Sequence, residues 1–351
     1  MPSSRARRWV RSLVRRLPPV ARRDKKIRRL RSENRRLDTA LSAAERLAEP
    51  TESDAPSFAY YVKAERRINA HLGERNFPGR ANQIARKLKS YSFAQSHGIR
   101  IPELFGLWNA PGEIPWDDLP DQIVLKSNTG AAGRGVFPLR RIDGRWLIVT
   151  RDEPMEPAEI VAQLSDLIRN GRIRAPIFGQ ELIGSGRDNI LPAEIRIFCF
   201  YGEVGMATVL RKTMHGSNAG TRSRRYLEDG SPGPRHHLHF PIDETDPPDS
   251  FATAVKIGRR LSAQVPRPFV RIDFLDDGDV VFGELTPRPG GSNYFGPEDD
   301  VCLGELWERA QARILNDVID GSDYSLKFGD GPRELVIGDR RYLPDKGWLT
   351  S

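Results

Sequence analysis

The first feature of the hydrophobic pattern is a short stripe of apolar residues set among arginines. Helical spacing relates Trp9, Val10, Leu13, Val14 and Leu17, and Pro18 and Pro19 follow. The pattern predicts a basic amphipathic arm over residues 1–23 that ends at the prolines. We expect this arm to bind the anionic inner face of the membrane, which makes the protein cytoplasmic and peripheral. A disordered basic tail that binds any polyanion is the alternative.

A second apolar pattern follows at heptad spacing, carried by Ile27, Leu30, Asn34, Leu37, Leu41, Ala44 and Ala48. It predicts a helical segment over residues 24–49, with a short coiled coil and a possible homodimer through residues 27–48. In a parallel pair, however, Lys26 would face Arg31 and Glu33 would face Asp38. A solvated helix lying on its own globular domain is therefore the alternative. Residues 50–56, PTESDAP, read as a linker.

Beyond the linker, helical and strand patterns alternate and predict an α+β fold. A helix is expected from Phe58 to about Leu72, and a second one ends near Gly98. The strands predicted next lie in IRIPELFGLW, IVLK, GVFPL, LIVT and IFGQELI, with a helix ending at Gly171 before the last of them. A hairpin that turns at Tyr201-Gly202, the helix SFATAVKIGRRLSAQ and the strand pair FVRIDFLDDGDVVFGEL follow. Residues after about Asp330 give little signal.

Composition excludes several classes of protein. The chain is 38% hydrophobic and has no apolar run near the roughly 20 residues that a membrane-spanning helix needs. Its net charge of +8 misleads, because residues 1–36 carry +13 and the rest carries −5. Nucleic-acid binding across a folded basic face is therefore not expected. Cys199 and Cys302 are too few for a disulfide framework, and we expect buried thiols in a reducing cytosol.

A glycine loop between two strands is the first candidate for chemistry. In IVLKSNTGAAGRGV, Lys126 ends a strand, and Gly130, Gly133 and Gly135 precede the next one. Such glycines let backbone N–H groups approach a phosphate. Because a strand rather than a helix follows, the loop is neither a Walker A nor a Rossmann loop, and it is typical of a phosphate flap. A plain glycine-rich turn remains the alternative.

Two carboxylates on a predicted hairpin are the second candidate. Asp273 and Glu284 each follow an apolar run in VRIDFLDDGDVVFGELTPRPGG. Buried carboxylates are costly unless they are paired or bind a cation, and Mg²⁺ prefers one or two carboxylates together with phosphates and water. An edge hairpin with solvated acids is the alternative. The cluster His236, His237 and His239 lacks zinc-ligand spacing, so we expect an exposed loop there.

Two further patterns gain weight from their order along the chain. Arg196 and Arg211 lie on the two arms of one predicted hairpin, where both could face one cleft and bind carboxylate or phosphate. Two surface arginines are the alternative. In FGQELIGSG, Glu181 lies beside apolar residues on a strand that could hold an adenine edge and a ribose hydroxyl. Taken alone, that segment reads as an ordinary strand.

The four elements are the glycine loop, the FGQELIGSG strand, the two arginines and the two carboxylates. In this order along the chain they resemble an ATP-grasp domain, in which two α+β lobes clamp ATP. The segment FVRIDFLDDGDVVFGELTPRPGGSNYFGPEDDVCLGELW is more similar still to the TupA-like branch, and GlnGluLeuIle, GluIleArg and LeuArg resemble glutamate-ligase-like members. The resemblance implies a helical lobe at 57–118, a flap lobe at 119–190, a metal lobe at 191–330 and a tail at 331–351. Residues 1–56 lie outside it.

The resemblance also implies a role for each candidate residue. MgATP would be held by Lys87, Lys126, the flap glycines and the hinge residues Gln180, Glu181, Leu182 and Ile183. The metal ligands would be Asp273, Glu284 and Thr286, although most members have Glu-x-Asn where this chain has Glu284-Leu285-Thr286. That departure puts a second magnesium ion in doubt.

The implied activity is the joining of a small-molecule carboxylate and an amine through an acyl phosphate. The amino acid or amine would be added to a cell-envelope polymer, with Arg196 and Arg211 as catalytic residues. A phosphotransferase acting on a hydroxyl and a nucleotide-binding scaffold without turnover are the alternatives.

Overall fold

Helices and strands alternate through the part of the chain that the computed structural model describes, which is residues 55–74, 84–130, 133–149, 154–184, 191–213, 220–233, 240–289 and 295–349. The chain divides into two compact units, Met1–Ala55 and Pro56–Ser351. The predicted arm, the predicted coiled coil and the three histidines at 236, 237 and 239 lie outside the described residues. No helix in the described ranges is long and apolar enough to cross a membrane.

An eight-stranded sheet forms the first layer, in the order β13-β12-β11-β1-β5-β2-β3-β4. Strand β11 pairs with β1 in parallel, and the other neighbours are antiparallel. Its strands are β1 Leu104–Trp108, β2 Gln122–Ser127, β3 Val136–Ile142, β4 Arg145–Ile148, β5 Ile177–Gln180, β11 Leu335–Ile337, β12 Arg340–Leu343 and β13 Gly347–Trp348.

A five-stranded antiparallel sheet forms the second layer, in the order β10-β9-β6-β7-β8. The strands are β6 Glu194–Phe200, β7 Glu203–Arg211, β8 Arg222–Tyr226, β9 Val270–Asp276 and β10 Val280–Thr286. Strands β6 and β7 form the predicted hairpin, whose turn places Tyr201 and Gly202 at positive φ. The expected α+β fold is confirmed.

Helices pack on these sheets and are α1 Phe58–Glu74, α2 Lys87–Ser96, α3 Pro157–Arg169, α4 Phe251–Ser262 and α5 Pro297–Ile319. Helix α3 begins with a capping box between Glu156 and Glu159 and ends before Gly171, whose φ of +64° suits glycine. The sequence pattern predicted this end. Strand β5 is shorter than predicted, because it ends at Gln180 rather than continuing to Ile183.

Both faces of the five-stranded sheet are covered over part of their area. Strand alternation turns Ile195, Ile197 and Cys199 toward a core that includes α4, as the sequence predicts. On the other face, Phe198 and Phe200 pack into an aromatic core with residues of α1 and α5. The remaining part of that second face carries the charged side chains described below.

Two regions that lacked a sequence signal prove to be structured. Residues 331–351, expected only as a tail, contain β11–β13, and Leu335 and Ile337 are buried beside β1. The strands are too short to show a clear period. Helix α5 opens with Pro297 and three acids in its first turn, which is a helix-start signal that the sequence analysis missed.

The C-terminal strands yield a stability prediction. Leu335 is fully buried, so Leu335→Ala should lower the free energy of unfolding by about 2–4 kcal/mol through lost contacts and a cavity. Its neighbour Val336 is 60% exposed, and Val336→Ala should change that free energy by less than about 0.5 kcal/mol. Chemical denaturation of both variants measures the difference. Equal effects would contradict the placement of β11.

Candidate functional site

Lys87 connects two of the predicted site elements. Its Nζ donates a hydrogen bond of 2.7 Å to the carbonyl oxygen of Gly130 and lies 3.6 Å from Oε2 of Glu284. The start of α2 is fixed to the same loop, because the carbonyl of Asn128 accepts the Lys87 N–H and its side chain accepts the Leu88 N–H. The structure thus brings the predicted lysine, the flap and one predicted metal ligand together.

Each flap glycine lies at a position that a larger residue would not fit, and the steric cause differs between them. A Cβ on Gly130 would lie 2.3 Å from the carbonyl oxygen of Arg134, so the loop cannot close around a larger residue. Gly133 and Gly135 have φ values of +73° and +67°, which favour glycine. On Gly135 a Cβ would also meet Ile173 at 2.8 Å.

Lys126 lies next to this flap, near the end of β2. Burial, assisted by the nearby charge of Lys87, lowers the pKa of its ammonium group to about 8. Glu284 offsets one of the two lysine charges, so the pair still has room for a further anion. A bound polyphosphate would supply it.

The two predicted metal ligands face each other across neighbouring strands. Asp273 on β9 pairs directly with Glu284 on β10, and this pairing depends on a β-bulge. Phe282 pairs with Phe274, so a regular register would pair Gly283 with Asp273 and turn Glu284 toward the core face, whereas the bulge at Gly283 brings Glu284 opposite Asp273. A Cβ on Gly283 would lie 2.8 Å from the carbonyl oxygen of Asp273, which explains the glycine.

Arg271, which the sequence patterns did not single out, binds Asp273. Its Nε and Nη2 donate two hydrogen bonds of 2.7 Å to the two carboxylate oxygens, and both side chains are buried. Nη2 also lies 3.4 Å from Oγ1 of Thr286, which in turn lies 3.3 Å from Glu284. The motif Arg-x-Asp on a strand was a usable signal, because both side chains share one face.

These residues fit a magnesium ion. Among the described residues no group of three or more His, Cys, Asp or Glu side chains could hold a metal. Two facing carboxylates are nevertheless what Mg²⁺ takes from a protein when phosphates and water complete its shell. An ionised carboxylate has about four acceptor positions, so the Arg271 contact leaves acceptor capacity on Asp273. The Thr286 hydroxyl lies close enough to Glu284 to orient it.

The two predicted catalytic arginines lie on opposite faces of the sheet. Arg196 pairs with Asp273 across strands and shares its face. Arg211 pairs with Arg222 and points to the opposite face from Arg196. Its side chain donates a 2.8 Å hydrogen bond to Asp243 on the side of the sheet that α4 covers. The expectation that both face one cleft is therefore wrong, because Arg211 lies three positions after Thr208, the cross-strand partner of Arg196, and successive residues of a strand point to opposite faces.

Glu194 links Arg196 to a lysine that the sequence patterns did not reveal. Its carboxylate accepts hydrogen bonds from Arg196 at 3.0 Å and from Lys212 at 2.7 Å. Burial alone would raise the pKa of Glu194, but Arg196, Lys212 and Arg271 together hold it well below the usual value. Lys212, the neighbour of Arg211, thus occupies the face that was predicted for that arginine.

The predicted hinge residues follow the end of β5 and differ in what they can offer. The Gln180 side chain is buried and accepts a 2.7 Å hydrogen bond from Tyr91, and its backbone lies between β1 and β2, where it pairs with Leu104 and Val124. Glu181 is held by Arg100 at 3.1 Å and by the Glu103 N–H at 3.2 Å. Any ribose contact would have to share this carboxylate.

Leu182 and Ile183 are buried, and Leu182 belongs to a small apolar cluster near the flap. The cluster also contains Val124 and Val149, with Val136 and Leu191 packed against it. It lies beside the hinge backbone, since Val124 pairs with Gln180. Apolar walls at this place suit a flat heteroaromatic ring.

Comparison with known proteins gives a family-model match over part of the chain. Residues 178–308 match a family model described as TupA-like ATPgrasp. No curated protein sequence matches the chain.

Several solved structures are similar in fold. A D-alanine–D-alanine ligase from Bacillus anthracis has 13% identity and a TM-score of 0.44, covering 72% of this chain and 77% of its own. A RiPP-associated ATP-grasp ligase from Chryseobacterium gregarium has 13% identity and a TM-score of 0.38, covering 76% and 73%. The D-Ala:D-Ser ligase of Enterococcus faecalis has 11% identity and a TM-score of 0.40, covering 67% and 63%. At these values the likeness carries no functional assignment.

The charge network around Glu194 predicts a specific pH dependence. A carboxyl group whose pKa is lowered by folding contributes stability above its unfolded pKa, near 4.5, and loses it as the pH falls toward the folded pKa. The difference in free energy of unfolding between the unmodified protein and Glu194→Gln should therefore be constant above about pH 5.5 and shrink below about pH 4.5.

Glu305, exposed on α5, provides the control. For Glu305→Gln the difference should stay near zero at every pH, and a pH-independent difference for Glu194→Gln would contradict the assigned network.

Proposed function

Because the chain carries a TupA-like ATP-grasp segment over residues 178–308, we propose that it is an ATP-dependent ligase that joins a carboxylate to an amine through an acyl phosphate. One observation carries the proposal more than any other. Lys87 reaches both the flap carbonyl of Gly130 and the carboxylate of Glu284. A phosphate-binding loop and a carboxylate pair thus meet at one ammonium group.

The nucleotide would lie along this line of contacts. Its base would enter the apolar cluster of Val124, Val149 and Leu182, with hydrogen bonds to the backbone after β5. The backbone N–H groups of the flap, Lys126 and Lys87 would then hold the phosphates. On nucleotide binding, the Lys87 ammonium would exchange its protein acceptors for phosphate oxygens.

Asp273, Glu284 and the orienting hydroxyl of Thr286 would hold magnesium. When bound, the ion would neutralise phosphate charge and polarise the γ-phosphoryl group. Arg271 has a separate task, because its two hydrogen bonds orient the buried Asp273 and oppose the rise in pKa that burial causes for this carboxyl group. Losing that guanidinium would leave an uncompensated charge in the sheet.

The reaction needs two bond exchanges. An oxygen of the substrate carboxylate attacks the γ-phosphorus, the bond to the β-phosphate oxygen breaks, and ADP leaves with both electrons. The nitrogen of a neutral amine then attacks the acyl carbon, phosphate leaves, and the nitrogen loses a proton to give an amide. Arg196 and Arg271 share the face of Asp273 and would stabilise the negative charge that develops in both steps.

The proposal includes a setting for this reaction. The resemblance to TupA-like proteins supports an acceptor in a cell-envelope polymer, to which an amino acid or amine is added. The basic, apolar stripe of residues 9–17 supports delivery to an anionic membrane surface, and the heptad of residues 27–48 supports a homodimer. Both features would concentrate the enzyme at the surface where such polymers are made.

Trapping the acyl phosphate tests the ligase. With MgATP and a panel of free amino acids and uronic acids, hydroxylamine should yield an acyl hydroxamate together with ADP. Arg196→Lys and Arg271→Lys should lower hydroxamate formation by roughly 10- to 100-fold while ATP still binds, because a point charge cannot replace the guanidinium fork. Arg211→Lys, on the opposite face, should retain activity and serves as the matched control.

Three outcomes would contradict the proposal. A phosphorylated product that is stable to hydroxylamine would indicate a phosphotransferase acting on a hydroxyl. ATP binding without ADP release for any acid would indicate a scaffold. Loss of activity in Arg211→Lys alone would remove Arg196 and Arg271 from the charge-stabilising role.

Lys126 predicts how nucleotide affinity depends on pH. Its pKa near 8 in the free protein should rise when phosphate binds, because the anion favours the charged form. ATP affinity should therefore be constant below about pH 8 and fall above it, by up to about tenfold per pH unit. Lys126→Arg stays charged over this range and should bind with a flatter profile. Titration calorimetry in buffers of different ionisation enthalpy measures the proton uptake directly, and uptake that persists in Lys126→Arg would exclude Lys126 as its source.

A further inference from the structure

A cavity of about 310 Å³ lies apart from the phosphate elements, between β7, β8 and the first turns of α5. Met206, Leu303 and Leu306 supply apolar walls. Helix α5 packs closely here, since a Cβ on Gly205 would lie 2.8 Å from Leu303 and 2.9 Å from Leu306. The cavity is therefore bounded by well-packed elements, and its size suits a small organic molecule.

One end of the cavity is charged. Arg225 on β8 and Asp299 on α5 form an ion pair of 3.0 Å, and both side chains are largely buried. Their charges balance, so among the described lining residues Glu298 gives a net negative charge. Phe295 lies under the Arg225 guanidinium at 4.9 Å and holds it in place. An apolar wall with an acidic mouth complements an aliphatic body that ends in a cation.

The sheet register relates this cavity to the reaction site. Arg225 pairs with Thr208, and Thr208 pairs with Arg196. The row of side chains on this face therefore runs from the cavity to Arg196 across two strand spacings, which is about 10 Å. A cation bound in the cavity would thus lie about two strands from the Arg196 backbone. A molecule with two nitrogens would place one of them at each end of this row.

We propose that the cavity binds the non-reacting end of a diamine or basic amino acid, which is the amine substrate of the ligase. The inference rests on the proposed function. The distal ammonium group stays charged at Glu298 and takes part in no bond exchange. The aliphatic chain lies against Met206, Leu303 and Leu306, and the other, neutral amine reaches the acyl carbon. Substrate choice would then depend on the distance between the two nitrogens.

Cys302 makes the cavity accessible to a direct experiment. It is exposed and lines the cavity, whereas Cys199, the other cysteine of the chain, is fully buried. Alkylation by neutral N-ethylmaleimide, followed by mass spectrometry of the full chain, should therefore report on Cys302. The assay needs neither ATP nor turnover. Cadaverine, the probe diamine, should slow alkylation, whereas pentanoate and pentanol at the same concentration should not.

Glu298 and Glu305 provide a matched pair of variants. Both lie on α5 and are exposed, but only Glu298 lines the cavity. Glu298→Gln should weaken protection by cadaverine, and raise the KM for cadaverine in the ligase reaction, by about three- to fivefold, the size expected for an exposed ion pair. The KM for ATP and kcat should not change. Glu305→Gln should leave every quantity unchanged.

The outcomes separate this inference from the function on which it rests. Hydroxamate formation without protection of Cys302 by cadaverine would overturn the cavity assignment and leave the ligase standing. Equal protection by cadaverine and pentanoate would also overturn it, since charge would not matter. Protection by cadaverine in a protein that forms no hydroxamate would overturn the substrate role together with the ligase.

Discussion

The pairing register of the five-stranded sheet decides which charged side chains can act together. Neighbouring strands place Glu284, Asp273 and Arg196 in one cross-strand row, and a single extra residue, Gly283, maintains it. A shift of one position would turn Glu284 into the hydrophobic core and remove it from Lys87. Among the described residues, helices cover other parts of that face, and the charged row lies beside them. The backbone register therefore determines which side chains can form the site.

Charge is concentrated on that face at a cost that stability alone does not justify. Burying a carboxylate beside a guanidinium rarely stabilises a fold more than apolar packing would, because both groups lose water. Yet Arg271 with Asp273, and Glu194 with Arg196 and Lys212, lie side by side. Such clusters keep the charges oriented, so that a substrate meets fixed groups rather than mobile solvent. This arrangement suits a reaction in which negative charge moves between phosphoryl and acyl groups.

Sequence patterns predicted what depends on local chemistry and missed what depends on pairing. Lys126 and the glycines that follow it were predicted to form a phosphate flap, because a phosphate-binding turn needs those residue types within a few positions of one another, and that role stays a prediction. The faces of β6 followed from simple alternation. By contrast, alternation counted on one strand could not show that Arg211 is out of phase with Arg196, and a lone Gly283 gives no sign of a bulge. The strand of Leu335 was missed because three residues next to a distant partner have no period of their own.

The C-terminal strands also bear on how this architecture can be divided. The segment that matches the family model, 178–308, begins inside β5, which belongs to the eight-stranded sheet, and ends within α5. The same sheet is extended by β11, more than 20 residues beyond that segment. A family boundary drawn from sequence therefore cuts through two hydrophobic cores. Recombination between relatives should therefore exchange specificity when it replaces surface loops inside the segment. Replacing residues 178–308 as a block would separate strands that fold together.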